Sequence, residues 1–163
     1  MPTATPNYGT PVALTMTLAS LASDANLVAG RASTAVDNGS AGADAIDALV
    51  GGKITTGTSP TADRQIEVWA YGSYDGTSYS GGATGSDANL TPQAKSLLRL
   101  LTVIPTTSTS NQAYTFGPFS IAQAFGGVVP EKWGIYVVHN TGVNLHATAG
   151  NHEVKYTPVK FES

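Results

Sequence analysis

Apolar and polar residues alternate with a period of two over short runs of this chain, the spacing that predicts strands rather than helices. Val12, Leu14, Met16 and Leu18 alternate with Ala13, Thr15, Thr17 and Ala19, so a first strand is expected over residues 12–19. A second is expected from Leu27 to Val36, closed by the turn sequence Asp37-Asn38-Gly39. Between Ala43 and Thr56 the pattern is ambiguous: Asp44 to Val50 reads as a helical turn, broken by Gly51-Gly52 before an extended Lys53 to Thr56. Arg64 to Tyr74 is the clearest strand, with Ile66, Val68 and Ala70 on one side and Glu67, Trp69 and Tyr71 on the other. A long polar loop follows, from Asp75 to Thr91.

The nearly continuous apolar run Leu97 to Ile104 suits a strand buried on both sides or a short helix, and its β-branched end and the stop at Pro105 favour the strand. In Tyr114 to Ile121, Pro118 points to an edge strand or a bulge, and Ile121 to Phe125 is expected to make one helical turn. Trp133 to Asn140 and Glu153 to Val159 complete the set, with a short Val143 to Thr148 strand between them, so the C-terminal third reads as an antiparallel meander. About eight short strands without a long amphipathic helix predict an all-β fold, an antiparallel β-sandwich of jelly-roll type, with a barrel as the alternative. Residues 1–11, carrying Pro2, Pro6 and Pro11, are expected to be an extended N-terminal arm, and residues 12–163 a single domain.

Charge narrows the partners. The net charge is −3, and the eight Lys and Arg are scattered singly, so no concentrated basic surface for nucleic acid is expected. No apolar run approaches the roughly 18 residues of a membrane span, and Met1 to Pro6 lacks the basic and apolar regions of a signal peptide, so a product made in the cytoplasm is expected. With no cysteine in the chain, disulfides, zinc-thiolate sites, iron-sulfur clusters and cysteine nucleophiles are excluded together.

Candidate chemistry is sparse. No Gly-x-Ser-x-Gly elbow occurs. His139, His146 and His152 fall in the last quarter and lack HxH or HExxH spacing, so they are read as strand-end and hairpin residues rather than metal ligands. Asp44, Asp47, Asp75 and Asp87 are read as turn caps rather than a calcium site. Gly51-Gly52-Lys53 fails as a phosphate loop, since Asp47 stands where the leading Gly belongs and Ile54 replaces the Ser or Thr. Neither a catalytic residue nor a metal or cofactor is expected. A hydrolase would need a carboxylate pair drawn from Glu67, Asp75 and Asp87. The strongest ligand-site candidate is aromatic: Trp69, Tyr71, Tyr74 and Tyr79 are placed to form a stacking platform for sugar rings, against the simpler reading that they pack in a core or interface.

Several stretches carry a likeness to known proteins. Arg31-Ala32-Ser33-Thr34-Ala35-Val36-Asp37-Asn38, Ile66 to Gly76, Ala83-Thr84-Gly85-Ser86-Asp87, Phe116 to Ala122, Trp133 to Gly142 and Asn151 to Tyr156 together resemble small structural proteins of tailed bacteriophages and prophages. The resemblance lies in the overall pattern and includes no catalytic motif. It implies a virion protein, foremost a capsid decoration or cement protein on the capsid exterior, with the major capsid protein as partner and a homo-oligomer as a further possibility. Tyr8, the arm and the strand-edge loops are then the contact candidates. The alternative is a glycan- or receptor-binding module at the tail or a vertex, using the aromatic platform. Low charge and many small residues suit flat contacts repeated by symmetry, where weak interfaces act together.

Overall fold

The computed structural model describes residues 4–40 and 44–162; Met1 to Thr3 of the expected arm, and Ala43, lie outside them. Its centre is set by the two most regular apolar runs. Arg64–Ser73 (β6) and Lys132–His139 (β10) pair antiparallel over eight positions, from Lys132 opposite Ser73 to His139 opposite Ile66. β-Branched and aromatic side chains on both strands suit a pleated surface, and both faces of the pair are covered. Ile66, Val68, Ala70, Trp133, Ile135 and Val137 point into the main core. Tyr71, Tyr136 and Val138 point to the opposite face and join a second core with Ala32, Ala83, Leu90 and Leu98.

The other strands are Thr5–Tyr8 (β1), Val12–Ala13 (β2), Gly30–Ala32 (β3), Val36–Asp37 (β4), Asp47–Thr55 (β5), Ala88–Leu90 (β7), Arg99–Thr106 (β8), Ala113–Ser120 (β9) and Glu153–Glu162 (β11). They form two sheets that pack as a sandwich around the main core. One runs β1-β11-β5-β9 with β2 also on β11, and the other runs β7-β3-β10-β6-β8 with β4 also on β10. All pairings are antiparallel. The all-β sandwich expected from the alternating runs is therefore present, with eleven described strands instead of about eight.

The differences from expectation have local causes. Leu14, Met16 and Leu18 do turn inward, but only Val12–Ala13 is a strand. Beyond it the backbone bonds one residue at a time to different partners: Leu14 N–H to the Val154 carbonyl, the Thr15 carbonyl from Thr34 N–H, and Thr17 N–H to the Asp87 carboxylate. The segment crosses the edge of the sandwich, and no single neighbour offers it a ladder. The second expected strand splits into β3 and β4, both on β10, around buried Ser33.

Asp47 to Val50 is strand, not helical turn, and Gly51-Gly52 does not end it. β5 is held on both sides, by β11 and β9, and its register with β9 shifts between Val50 and Gly52. A side chain at Gly52 would overlap the Glu153 carbonyl, so glycine here allows β11 to approach β5 closely. β9 is the edge strand that Pro118 suggested, and Ile121–Ala124 (α1) is the expected helical turn, capped by Ser120 Oγ accepting from Gln123 N–H at 2.9 Å.

Leu97 to Ile104 is corrected more strongly. Lys95–Leu97 is a 3-10 turn, and β8 is the edge of its sheet, with Leu100 and Val103 exposed; Pro105 lies inside the strand, which an edge tolerates. Val143 to Thr148 is not a strand and makes only an isolated bridge from Leu145 to Thr56. The C-terminal meander is absent as well, because β10 and β11 belong to different sheets. Thr5 to Tyr8, within the segment read as an arm, is β1 and lies along the end of β11.

Candidate binding surface

The chain between β6 and β8, residues 74–98, crosses the outer face of the six-stranded sheet and decides what the aromatic residues can do. Tyr71 is fully buried beneath it, its hydroxyl donating to the Ser33 carbonyl at 2.6 Å, and burial pushes its ionisation far above the ordinary phenol range. Tyr79 folds back from the loop and packs edge-on against Tyr71, with ring centroids 5.7 Å apart. Trp69 is half-buried, and Tyr74, just past β6, is 89% exposed. The four aromatics named from the sequence thus occupy different environments: one in the core, one lying on it, one at the margin and one in solvent. Tyr8 stands apart from them on β1, 64% exposed.

Trp69 belongs to a polar cluster. Its indole N–H donates to Glu67 Oε2 at 2.9 Å, Gln65 Nε2 donates to Glu67 Oε1 at 2.8 Å, and the Lys95 ammonium pairs with Glu67 Oε2. The same ammonium sits 5.0 Å from the centre of the Trp69 ring, within cation–π range. Glu67 is buried, and these three donors compensate its charge. Lys95 comes from the end of the 74–98 segment, so the pair fastens that segment to β6. A second clasp holds its middle, where Arg31 Nε donates to Asp87 Oδ1 at 2.6 Å and Thr17 Oγ1 to Asp87 Oδ2 at 2.6 Å. Burial opposes ionisation of Asp87, but the Arg31 and Thr17 donors outweigh it and keep the carboxyl below its ordinary pKa.

Beside this cluster lies an open apolar surface. Register places Leu100 opposite Trp69 and Val103 opposite Glu67, so both project on the outer face at the free edge of the sheet, 48% and 41% exposed. Leu97, also 48% exposed, precedes them. Leu97 further lines a hollow of about 270 Å3 with Tyr74, Tyr79, Phe125, Pro130 and Arg99. Among the described residues Arg99 makes no ion pair, so one unopposed guanidinium faces an aromatic lining. Neighbouring Leu100 and Leu101 meet Phe119 of β9 and Ala124 of α1 around a second shallow hollow. A larger hollow of about 540 Å3, between residues 17–24 and the β3–β7 pair, is lined mainly by Ala, Ser, Thr and backbone. Its charged groups are committed, Arg31 to Asp87 and Asp24 to the backbone N–H groups of Asn26, Val28 and Ala29.

The carboxylates and histidines singled out in the sequence have structural partners. Asp75 accepts from the N–H groups of Thr77 and Ser78 and from the Ser78 hydroxyl, which hold its carboxyl well below the usual range and close the loop as a cap. Asp47 accepts from Ala48 and Ala122 N–H, and Asp44 pairs with Lys160. Glu67, Asp75 and Asp87, the residues a hydrolase would draw on, each have several donors. His139 is buried, while His152 Nε2 lies 2.8 Å from the His146 carbonyl. Among the described residues no group of three His, Asp or Glu is placed to hold a metal ion, and no helix is long and apolar enough to cross a membrane.

The sequence does not mark Leu97, Arg99, Leu100 and Val103 as surface residues, because a continuous apolar run carries no face information. Pro105 inside the run was the available signal, since proline marks an edge. Comparison of the chain with protein-family models, with curated proteins and with solved structures finds no match.

Proposed function

We propose that this chain is a non-enzymatic virion structural protein, a capsid decoration or cement protein that binds the outer capsid lattice. The observation that carries the reading is the apolar strip of Leu97, Leu100 and Val103 beside Trp69 on a free sheet edge. Such a strip, bordered by the Lys95–Glu67–Trp69 cluster, has the character of a protein-contact surface. The sequence resemblance supplies the particle and the strip supplies the means of attachment.

The finer topology is consistent with a jelly roll. If β1 and β2 count as one interrupted strand, β3 and β4 as another, and β7 as an insertion, eight strands remain. Their orders are then first-eighth-third-sixth in one sheet and second-seventh-fourth-fifth in the other. Each strand of the first half pairs with its counterpart counted back from the end, as when one long hairpin is rolled up.

Co-sedimentation with capsids made without this gene product tests the reading. Saturable binding at a copy number matching the lattice is expected, and loss of at least about tenfold in affinity for Leu100→Lys with Val103→Asp, since burying either charge unpaired costs more than the 1.4 kcal/mol of a decade. A handful of copies per particle, or undiminished binding by the double variant, would remove it.

A second reading, a glycan- or receptor-binding module, is favoured by the hollow of Tyr74, Tyr79 and Phe125 with the unopposed Arg99. Glycan binding lost on Tyr74→Ala with the fold intact would support it; no glycan affinity in the parent protein would dismiss it.

A further inference from the structure

Like the short β2 beside it, β1 contributes no buried side chain: Thr5, Pro6, Asn7 and Tyr8 are all exposed, and none belongs to either core. What holds it is a main-chain ladder to β11, with Thr5 opposite Glu162, Pro6 opposite Phe161, Asn7 opposite Lys160 and Tyr8 opposite Val159. The Asn7 amide also donates to the Glu162 carboxylate. β2 pairs with the same strand lower down, at Lys155 and Tyr156, so β1 and β2 are two pieces of one edge joined by Gly9-Thr10-Pro11. Gly9 N–H bonds to the Pro158 carbonyl at 2.8 Å, and Pro11 biases Thr10 toward an extended backbone. The joint is therefore short, three residues facing two of β11.

We propose that β1 is an exchangeable strand, which in a pair of copies leaves its own β11 and pairs with β11 of the second copy. The ladder is the same within a chain as between chains, so exchange forfeits no core contact and costs only the straightening of the joint and the entropy of association. The compensation lies on the same margin. Tyr8, Val12 and Phe161 are 64%, 43% and 59% exposed, and an exchanged pair brings both copies of these side chains to one two-fold axis. The proposal concerns the isolated protein and holds whether or not it binds a capsid.

The cysteine-free chain gives a direct test. Asn7→Cys and Lys160→Cys are introduced singly in two preparations, mixed at high concentration and oxidised gently. Directly opposed strand positions lie within disulfide reach. A cross-linked heterodimer is expected at roughly ten times the yield of a control mixing Asn7→Cys with Thr109→Cys, because pairing raises the local thiol concentration. The double variant, at high dilution, is expected to close into a cross-linked monomer. If it closes while the mixed single variants yield no more heterodimer than the control, β1 does not exchange. If it fails to close, the β1–β11 pairing itself is wrong and the proposal falls with it.

Discussion

Gly134 shows how one residue fixes the packing between strands. It sits on β10 opposite Tyr71, and a β-carbon there would overlap the Tyr71 ring, whose hydroxyl is anchored on Ser33. Gly134→Ala is expected to cost about 1–3 kcal/mol by overpacking. Urea denaturation should show a lower midpoint with an unchanged slope. His139 sets a pH dependence. It is buried, with Nε2 3.0 Å from the Leu21 carbonyl, which can only accept, so Nε2 carries the proton. The Thr141 hydroxyl, 3.0 Å from both Nδ1 and the Val143 carbonyl, supplies its one proton to that pair. Burial holds His139 and His152 below the ordinary imidazole value of 6.5, so on acidification the unfolded chain takes up protons at these sites before the fold does. Stability should be level above about pH 7 and fall as pH drops through about 6.5 toward the depressed native values. Urea midpoints measured from pH 8 to 5 check this; a midpoint that rises on acidification would contradict it.

Among the elements, the 74–98 segment is fastened over the sheet by two ion pairs. Lys95–Glu67 and Arg31–Asp87 hold it over the sheet, with Leu90, Leu98 and Ala83 beneath. Lys95→Met leaves the buried Glu67 carboxylate with only the Gln65 and Trp69 donors. The expected cost is about 1–3 kcal/mol, below that of a fully buried pair because Lys95 keeps some solvent contact. Amide exchange should then quicken at Ala88–Leu90 while the β6–β10 ladder stays protected. Uniform loss of protection would mean that the segment and the sandwich unfold as one unit.

For the whole molecule, the disposition of charge matters more than its amount. The exposed strip on β8 is apolar, so binding through it should change little with added salt, whereas an interface built on Lys95 and Arg99 would weaken steeply across the same range. Repeating the capsid titration at low and high ionic strength separates the two. A steep salt dependence would assign the contact to the cations and leave Leu100 and Val103 as bystanders.

The central strands were legible in the sequence because their signal is local: β6 and β10 are rich in β-branched and aromatic residues, and in β6 the alternation of Ile66, Val68 and Ala70 with Glu67, Trp69 and Tyr71 assigns the faces. Pro118 announced an edge, Ile121 to Phe125 a helical turn, and Asp75 its own cap, each through backbone chemistry confined to a few residues. Gly51-Gly52 looks like a break because glycine is weak in an isolated strand, whereas β5 is held from both sides and uses glycine for close approach. The Trp69, Tyr71, Tyr74 and Tyr79 set was visible as residues but not as an arrangement. A period of two assigns a side chain to a face; it does not say whether a distant segment covers that face. Local sequence determined the two central strands and which side chains seek burial. Only the tertiary structure decided that the 74–98 segment would bury Tyr71 and that β8 would stand at an edge with Leu100 and Val103 in solvent, because coverage and edge position are set by pairings between residues far apart in the chain.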